Sequence, residues 1–407
     1  MKTLFFLFGL ALIPFHSCTT SYKMSDNQKS SGHFRLYSFP EKRNIKEEKF
    51  DESRFKKLVI VSSNDFKGHI FPEIHPIPNR FNERRFMRIG GVASMRAYLD
   101  VFRKEFSDHM LYFDAGSFLD LEKNHAQTFF LYQYLGVDVS SLGLNEFILN
   151  TPPRKQPVEY LASLTKNLNY DLVNSNLFDL TQAEQIQIPS SKDTVIKEVN
   201  GLKVGVIGVL TRSLSKKIPD QKINGLYIQN PVKNVISKAT QLRRRGANIV
   251  ILLANEGVDC TSQMAHSLGL SDDKVNFEPM NSTHCDKYKS DFINLLEGLP
   301  QNTVDLAVTS GGNSKVANFI HGVPVIQNKG EGKYLSWAEL YFDTKHQIVV
   351  NQMTKLHQPV MLCEEFFKET QDCFIEGSIE NRELTDAIFL GKKIQVKDLP
   401  KSMPRLE

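Results

Sequence analysis

Short apolar runs alternate with helix-length segments along most of the chain, and no other sequence feature restricts its fold as strongly. Runs 58–62, 110–113, 172–174, 202–209, 249–253 and 304–308 are rich in Val, Ile and Leu and too short for helices. Segments 92–106, 126–134, 158–167, 231–245 and 288–296 lie between them and carry helical patterns. This order predicts an α/β domain with buried sheets. Near the end, 323–327, 334–342 and 347–354 are separated only by turns, which predicts an antiparallel, helix-poor portion closing the domain. Sites in open α/β sheets form at the carboxyl ends of strands. The loops that begin near Asn64, Asp114, Leu142, Ala254 and Thr309 are therefore where chemistry is expected.

The first residues predict export. Met1-Lys2 precedes an apolar run, 4–15, that is too short for a comfortable transmembrane span, and small residues lead to Cys18. Phe15-His-Ser-Cys18 resembles a bacterial lipobox, which implies lipidation of Cys18, although Phe15 replaces the usual Leu; an ordinary secreted protein is the alternative. Thr19 instead of Asp after the cysteine favours the outer membrane if the host is a diderm. The polar stretch behind Cys18 reads as a flexible tether. The expected organisation is a signal peptide at 1–17, a tether at 18–55, the domain at 56–356 and a docked tail at 357–407. With 407 residues there is ample chain for a core, and a net charge of only +4 predicts no nucleic-acid partner. In an oxidising compartment Cys260, Cys285, Cys363 and Cys373 predict disulfides. Four cysteines allow three connectivities, of which the sequence-local pairs Cys260–Cys285 and Cys363–Cys373 are favoured. No CxxC spacing supports zinc instead.

The five loops read Asn64-Asp-Phe-Lys-Gly-His69, Asp114-Ala-Gly-Ser117, Gly143-Leu-Asn-Glu-Phe147, Leu253-Ala-Asn-Glu-Gly257 and Gly311-Gly-Asn-Ser314. In order and spacing they resemble the calcineurin-like metallophosphoesterases, in particular the exported 5′-nucleotidase branch. Over 58–343 this resemblance implies a metallophosphoesterase-like αββα sandwich, two mixed sheets flanked by helices. It also implies two-metal phosphoester hydrolysis, in which paired cations clamp the phosphate and activate a water. Of the positions that family uses, Asp65 remains. Lys67, Ser117, Leu144, Asn145, Asn255, Gly312 and Ser314 stand where the family has ligands or its catalytic histidine, Asn145 replacing the latter.

One carboxylate, two amides and two hydroxyls are a poor donor set for a divalent pair, and Lys67 adds a positive charge. The scaffold residues Gly68, Asp114, Gly116, Glu146, Phe147, Gly257 and Gly311 persist. The expectation is therefore no catalytic residue, no metal and no cofactor. Lys67 is read either as a counter-ion to Asp65 or as a solvated side chain. His69 is read as structural or surface, with a remnant one-metal pair of Asp65 and His69 as the alternative; of the other histidines His321 lies closest to a motif loop. Nucleotidases of this branch carry a C-terminal domain that stacks on the base. Here Phe366, Phe367 and Phe374 fall in and after a helix-like stretch, 364–369, expected to dock on the domain, so nucleotide specificity is not expected. The function expected is a membrane-anchored binding or structural lipoprotein, held by its N-terminal lipid, with an unidentified ligand or protein partner. A phosphoester hydrolase with a remodelled one-metal or metal-free site is the alternative.

Overall fold

The computed structural model describes residues 53–402, apart from 78–84, 152–156, 180–183, 186–187, 189–190, 218–225, 259, 262–283, 286–289, 313, 369–370 and 374–382. Cys18 and the segments around it, Asn313 and Phe374 lie outside the described residues.

Chain order starts with β1 (Phe55–Ser63), a hairpin of β2 (Glu73–Ile77) and β3 (Arg85–Ile89), and α1 (Gly91–Phe106). β4 (Met110–Asp114), α2 (His125–Leu135), β5 (Val139–Ser141), α3 (Leu144–Ile148) and β6 (Asp171–Val173) follow. β1, β4, β5, β6 and Ser191–Lys192 run parallel in one sheet. Tyr334–Asp343 adds antiparallel to β1, and both Ile348–Val349 and Lys355–Met361 pair with it. The second sheet runs in the order Thr194–Val199, Leu202–Leu210, Ile249–Asn255, Leu306–Thr309, Val323–Gln327, Val316–Ile320.

Period-two alternation assigns each strand's faces. On β1, Leu58 and Ile60 join Val204, Ile251, Leu253 and Val308 in a core between the sheets. Val59 and Val61 point the other way, into the core beneath Tyr98, Leu99 and Phe102 of α1 and Leu131 and Tyr132 of α2. Ile249–Asn255 divides likewise, with Val250, Leu252 and Ala254 packing beneath the helices Pro231–Arg244 and Asp291–Glu297. These three cores make the expected αββα sandwich.

Two local expectations are corrected. Residues 364–369 are not helical: Glu365–Phe367 is a strand paired with Leu384–Asp386, and buried Phe366 and Phe367 join the core under α1. Segment 347–354 is mostly a turn, with a two-residue strand at Ile348–Val349 before Lys355–Met361 leaves it. The Cys363–Cys373 bond is formed. Cys260 and Cys285 stand opposite each other in an antiparallel pair.

Candidate functional site

The parallel strands β1, β4, β5, Ile249–Asn255 and Leu306–Thr309 all present their carboxyl ends on one side of the sandwich, which brings the five loops together. The loop after β1 is held by backbone bonds to the loop after β4: Asp65, Lys67 and Gly68 N–H groups donate to Gly116, Ser117 and Phe118 carbonyls at 3.0, 3.1 and 2.9 Å. Asp65, Lys67 and Ser117 all take left-handed φ angles of 48°, 51° and 57°. Non-glycine residues rarely adopt that region, and such strain concentrates at functional sites.

Asp65 is buried. Its Oδ2 accepts from Gly311 N–H at 2.6 Å and from Asn64 Nδ2 at 2.9 Å. Burial pushes its carboxyl above the usual aspartate range, with the two donors and the Lys67 charge opposing. Lys67 is exposed and, among the described residues, joins no ion pair, though its charge still acts on the Asp65 carboxyl. His69 is also exposed, and partial burial lowers its pKa.

The remaining positions bond to one another. Asn255 is buried, and its amide donates to Ser117 Oγ at 3.2 Å, to Ala115 O at 3.3 Å and to Ser310 Oγ. Its Oδ1 accepts from Leu144 N–H at 2.8 Å. Asn145 donates to Leu119 O at 2.8 Å, so the residue at the catalytic-histidine position serves as a loop tie. Gly143 packs so closely that a Cβ there would collide with Ser117 and with the Asn255 amide. Ser314 is buried, and its carbonyl accepts from Gln327 Nε2 at 2.8 Å.

Gln327 and Asn328 escaped the sequence reading because they lie at the end of a further strand, Val323–Gln327, which pairs parallel with Leu306–Thr309 and antiparallel with Val316–Ile320 and precedes none of the five motif loops. Gln327 is fully buried. Its Oε1 accepts from Thr309 Oγ1 at 2.6 Å and Val258 N–H at 3.0 Å, and its Nε2 donates to Val258 O at 3.0 Å. It occupies the space a Cβ at Gly257 or Gly312 would need. Asn64 and Asn328 exchange bonds: Asn64 Nδ2 donates to Asn328 O at 2.9 Å and Asn328 N–H to Asn64 Oδ1 at 3.1 Å. A polar residue ending a fully apolar strand was the available signal at both positions.

Two buried carboxylates underpin the loops. Glu146 accepts from Gly143, Ser117 and Leu119 N–H groups at 2.6, 3.0 and 3.0 Å. Asp114 accepts from Ser63 at 2.6 Å, Gly116 N–H at 2.9 Å, Tyr132 at 3.1 Å and Ser140 at 3.2 Å. Burial raises each to about 7.

No family model matches the chain. It is 23% identical over 303 residues to Protein 5NUC of Lutzomyia longipalpis, covering 72% of this chain and 49% of that one. It is 25% identical over 310 residues to an apyrase of Aedes albopictus, with 73% and 51% coverage. The chain thus spans about half the length of the curated relatives it matches. Among solved structures, a 5′-nucleotidase precursor of Thermus thermophilus aligns with a TM-score of 0.52 at 18% identity, over 75% of this chain and 55% of that one. A putative 5′-nucleotidase of Staphylococcus aureus aligns with 0.54 at 16%, over 75% and 54%.

These comparisons correct the expectation of no cofactor. Both of these solved structures are 5′-nucleotidases by name, and the resemblance implies divalent-metal chemistry for their class. What the residues give is narrower. Among the described residues no group of three or more His, Cys, Asp or Glu could hold a metal ion. The lone carboxylate and the Asn255 oxygen at the ligand positions already accept internal hydrogen bonds. The donor set does not fit a two-metal centre, and no catalytic step is routed through one. In architecture the chain is a metallophosphoesterase-like αββα protein with the fold of the 5′-nucleotidases.

Proposed function

We propose that this protein is an exported, lipid-anchored binding or structural protein that uses the nucleotidase scaffold without hydrolysing phosphoesters. The observation that carries this reading is that polar groups at the former ligand positions are spent on one another, Asn255 alone joining Leu144, Ser117, Ser310 and Ala115. Hydrolysis needs a group to move protons and preorganised charge where the transition state develops it. Asn145 and Asn255 do not titrate, and Asp65 is held by two donors.

Among the described residues no helix is long and apolar enough to cross a membrane. Attachment is therefore assigned to Cys18, on the strength of the apolar run before it and the polar stretch after it. In a fractionation experiment, Cys18→Ser is expected to release the protein from the membrane pellet; unchanged fractionation refutes the anchor.

The hydrolase alternative draws support from the strained backbone at Asp65 and Ser117 and from the raised Asp65 carboxyl. Purified protein assayed on p-nitrophenyl phosphate, its bis ester and AMP, with magnesium, manganese, zinc or calcium, separates the two. The expected rate equals that of Asp65→Ala. Turnover that Asp65→Ala abolishes overturns the non-catalytic reading.

A further inference from the structure

On the inner face of the β2–β3 hairpin, Ile77, Met87 and Ile89 are buried in the core beneath α1, while Glu73 and His75 on the same face remain exposed. The outer face is uncovered. Ile74 is 58% exposed and Phe86 51%, Pro76 between them is exposed, and Phe71 at the foot of the hairpin is 57% exposed. Pairing of Pro76 with Phe86 and of Ile74 with Arg88 places Ile74, Pro76, Phe86 and Arg88 on one face. Phe71, Ile74 and Phe86 are three of the seven large hydrophobics exposed among the described residues, so the exposure is concentrated at this hairpin.

The two strands carry two arginines, Arg85 and Arg88, against one acid, Glu73. Glu73 shares Lys333 with Glu331. Arg88 is 59% exposed, and its nearest carboxylate, Glu364, is 4.0 Å away. Lys67 and His69, just before Phe71, are exposed. The base is fixed: Val92 N–H donates to Ile70 O at 2.9 Å and Gly90 N–H to Leu362 O at 2.7 Å. Exposed Phe and Ile flanked by Arg and Lys is the composition that seats at a lipid headgroup boundary.

We propose that the outer face of this hairpin docks on an anionic phospholipid surface, with Phe71, Ile74 and Phe86 entering the headgroup region and Arg88 and Lys67 meeting lipid phosphates. This goes beyond the Cys18 anchor and does not depend on it. With an anchor in place, tethering raises the local concentration so that a weak patch suffices. Fully extended, the 35 residues between Cys18 and Arg54 span at most roughly 120 Å.

The test uses the full chain bearing Cys18→Ser, so that no lipid contributes, and vesicles of phosphatidylcholine with or without phosphatidylglycerol. Co-sedimentation is expected with the anionic vesicles, weakening as salt rises. The triple variant Phe71→Ser, Ile74→Ser, Phe86→Ser is expected to bind at least about tenfold more weakly with an unchanged circular dichroism spectrum. Arg88→Glu, which leaves the apolar face intact, is expected to weaken anionic binding only. Equal binding by wild type and triple variant, or no binding by wild type, overturns the proposal. So does a wild-type dimer that the triple variant converts to a monomer, since the face then belongs to a second copy of the chain.

Discussion

Glu146 and Asp65 are both buried carboxylates in the same loop cluster, and their surroundings have diverged. Glu146 keeps three backbone N–H donors from two loops, while Asp65 has two donors and, among the described residues, no ion-pairing partner for the charge it would carry. Positions whose work is to hold the backbone in shape retain their chemistry. At the cleft positions stand amides, hydroxyls, a leucine, a lysine and a glycine beside the single carboxylate of Asp65. The loops converge in either case, because their convergence depends on the first set.

The sharpest way to break this comparison is to remove the structural carboxylate. Glu146→Ala leaves three buried N–H groups without an acceptor, and each such group costs about 1–3 kcal/mol. The expected loss is on the order of 4 kcal/mol by urea denaturation, against about 1 kcal/mol for Asp65→Ala, whose Oδ2 leaves only Gly311 N–H and the Asn64 amide to rebond. Because the folded-state pKa of Glu146 is raised to about 7, the stability it contributes is fully present below its ordinary value and is lost as pH rises towards 7. The Glu146→Ala penalty should therefore shrink between pH 5 and pH 8, by about 1–3 kcal/mol. A penalty that grows over that interval would reverse the sign of the burial effect.

Gln327 gives the next largest effect. Its amide makes four bonds inside the cluster, to Thr309, Val258 N–H, Val258 O and Ser314 O. Gln327→Ala opens a cavity and strands these partners, an expected cost of about 3 kcal/mol. Gln327→Glu keeps the shape but gives the Ser314 and Val258 carbonyls a carboxylate to face, and should be no milder at pH 8. If Gln327→Ala costs less than 1 kcal/mol, the cluster is hydrated and not closed on itself.

Much of this site could be read before folding, and the reason is local. The five motif loops follow strands whose alternation is plain, as in Leu58 and Ile60 facing one way and Val59 and Val61 the other, so their strand-end placement followed from order alone. Gln327 could not be read, because its role depends on the parallel pairing of Leu306–Thr309 with Val323–Gln327 across an intervening hairpin. The tail segment Glu365–Phe367 misled for a different reason. Glu, Lys and Phe there carry helical preference, but Phe366 and Phe367 gain more by burial in a strand paired with Leu384–Asp386. The β2–β3 hairpin left no periodic signal, since charged and apolar residues mix on both of its faces and Pro76 interrupts the first strand.

The smallest effect belongs to Lys67, and it completes the comparison with Asp65. Had the ammonium been a counter-ion to that carboxylate, removing it would leave a buried charge unpaired and cost 3 kcal/mol or more. Lys67 is instead exposed and joins no ion pair among the described residues, so Lys67→Ala should change stability by no more than about 0.5 kcal/mol. Its left-handed φ of 51° adds an internal control. Lys67→Gly relieves the conformational strain of a side chain in that region, by roughly 1 kcal/mol, and loses a comparable amount through the greater freedom of glycine in the unfolded chain. Glycine and alanine variants within about 0.5 kcal/mol of wild type, measured side by side in urea, are the expected result. A Lys67→Ala loss of several kcal/mol, absent in Lys67→Arg, would make the lysine the partner of Asp65 and place it among the residues that hold the loops together.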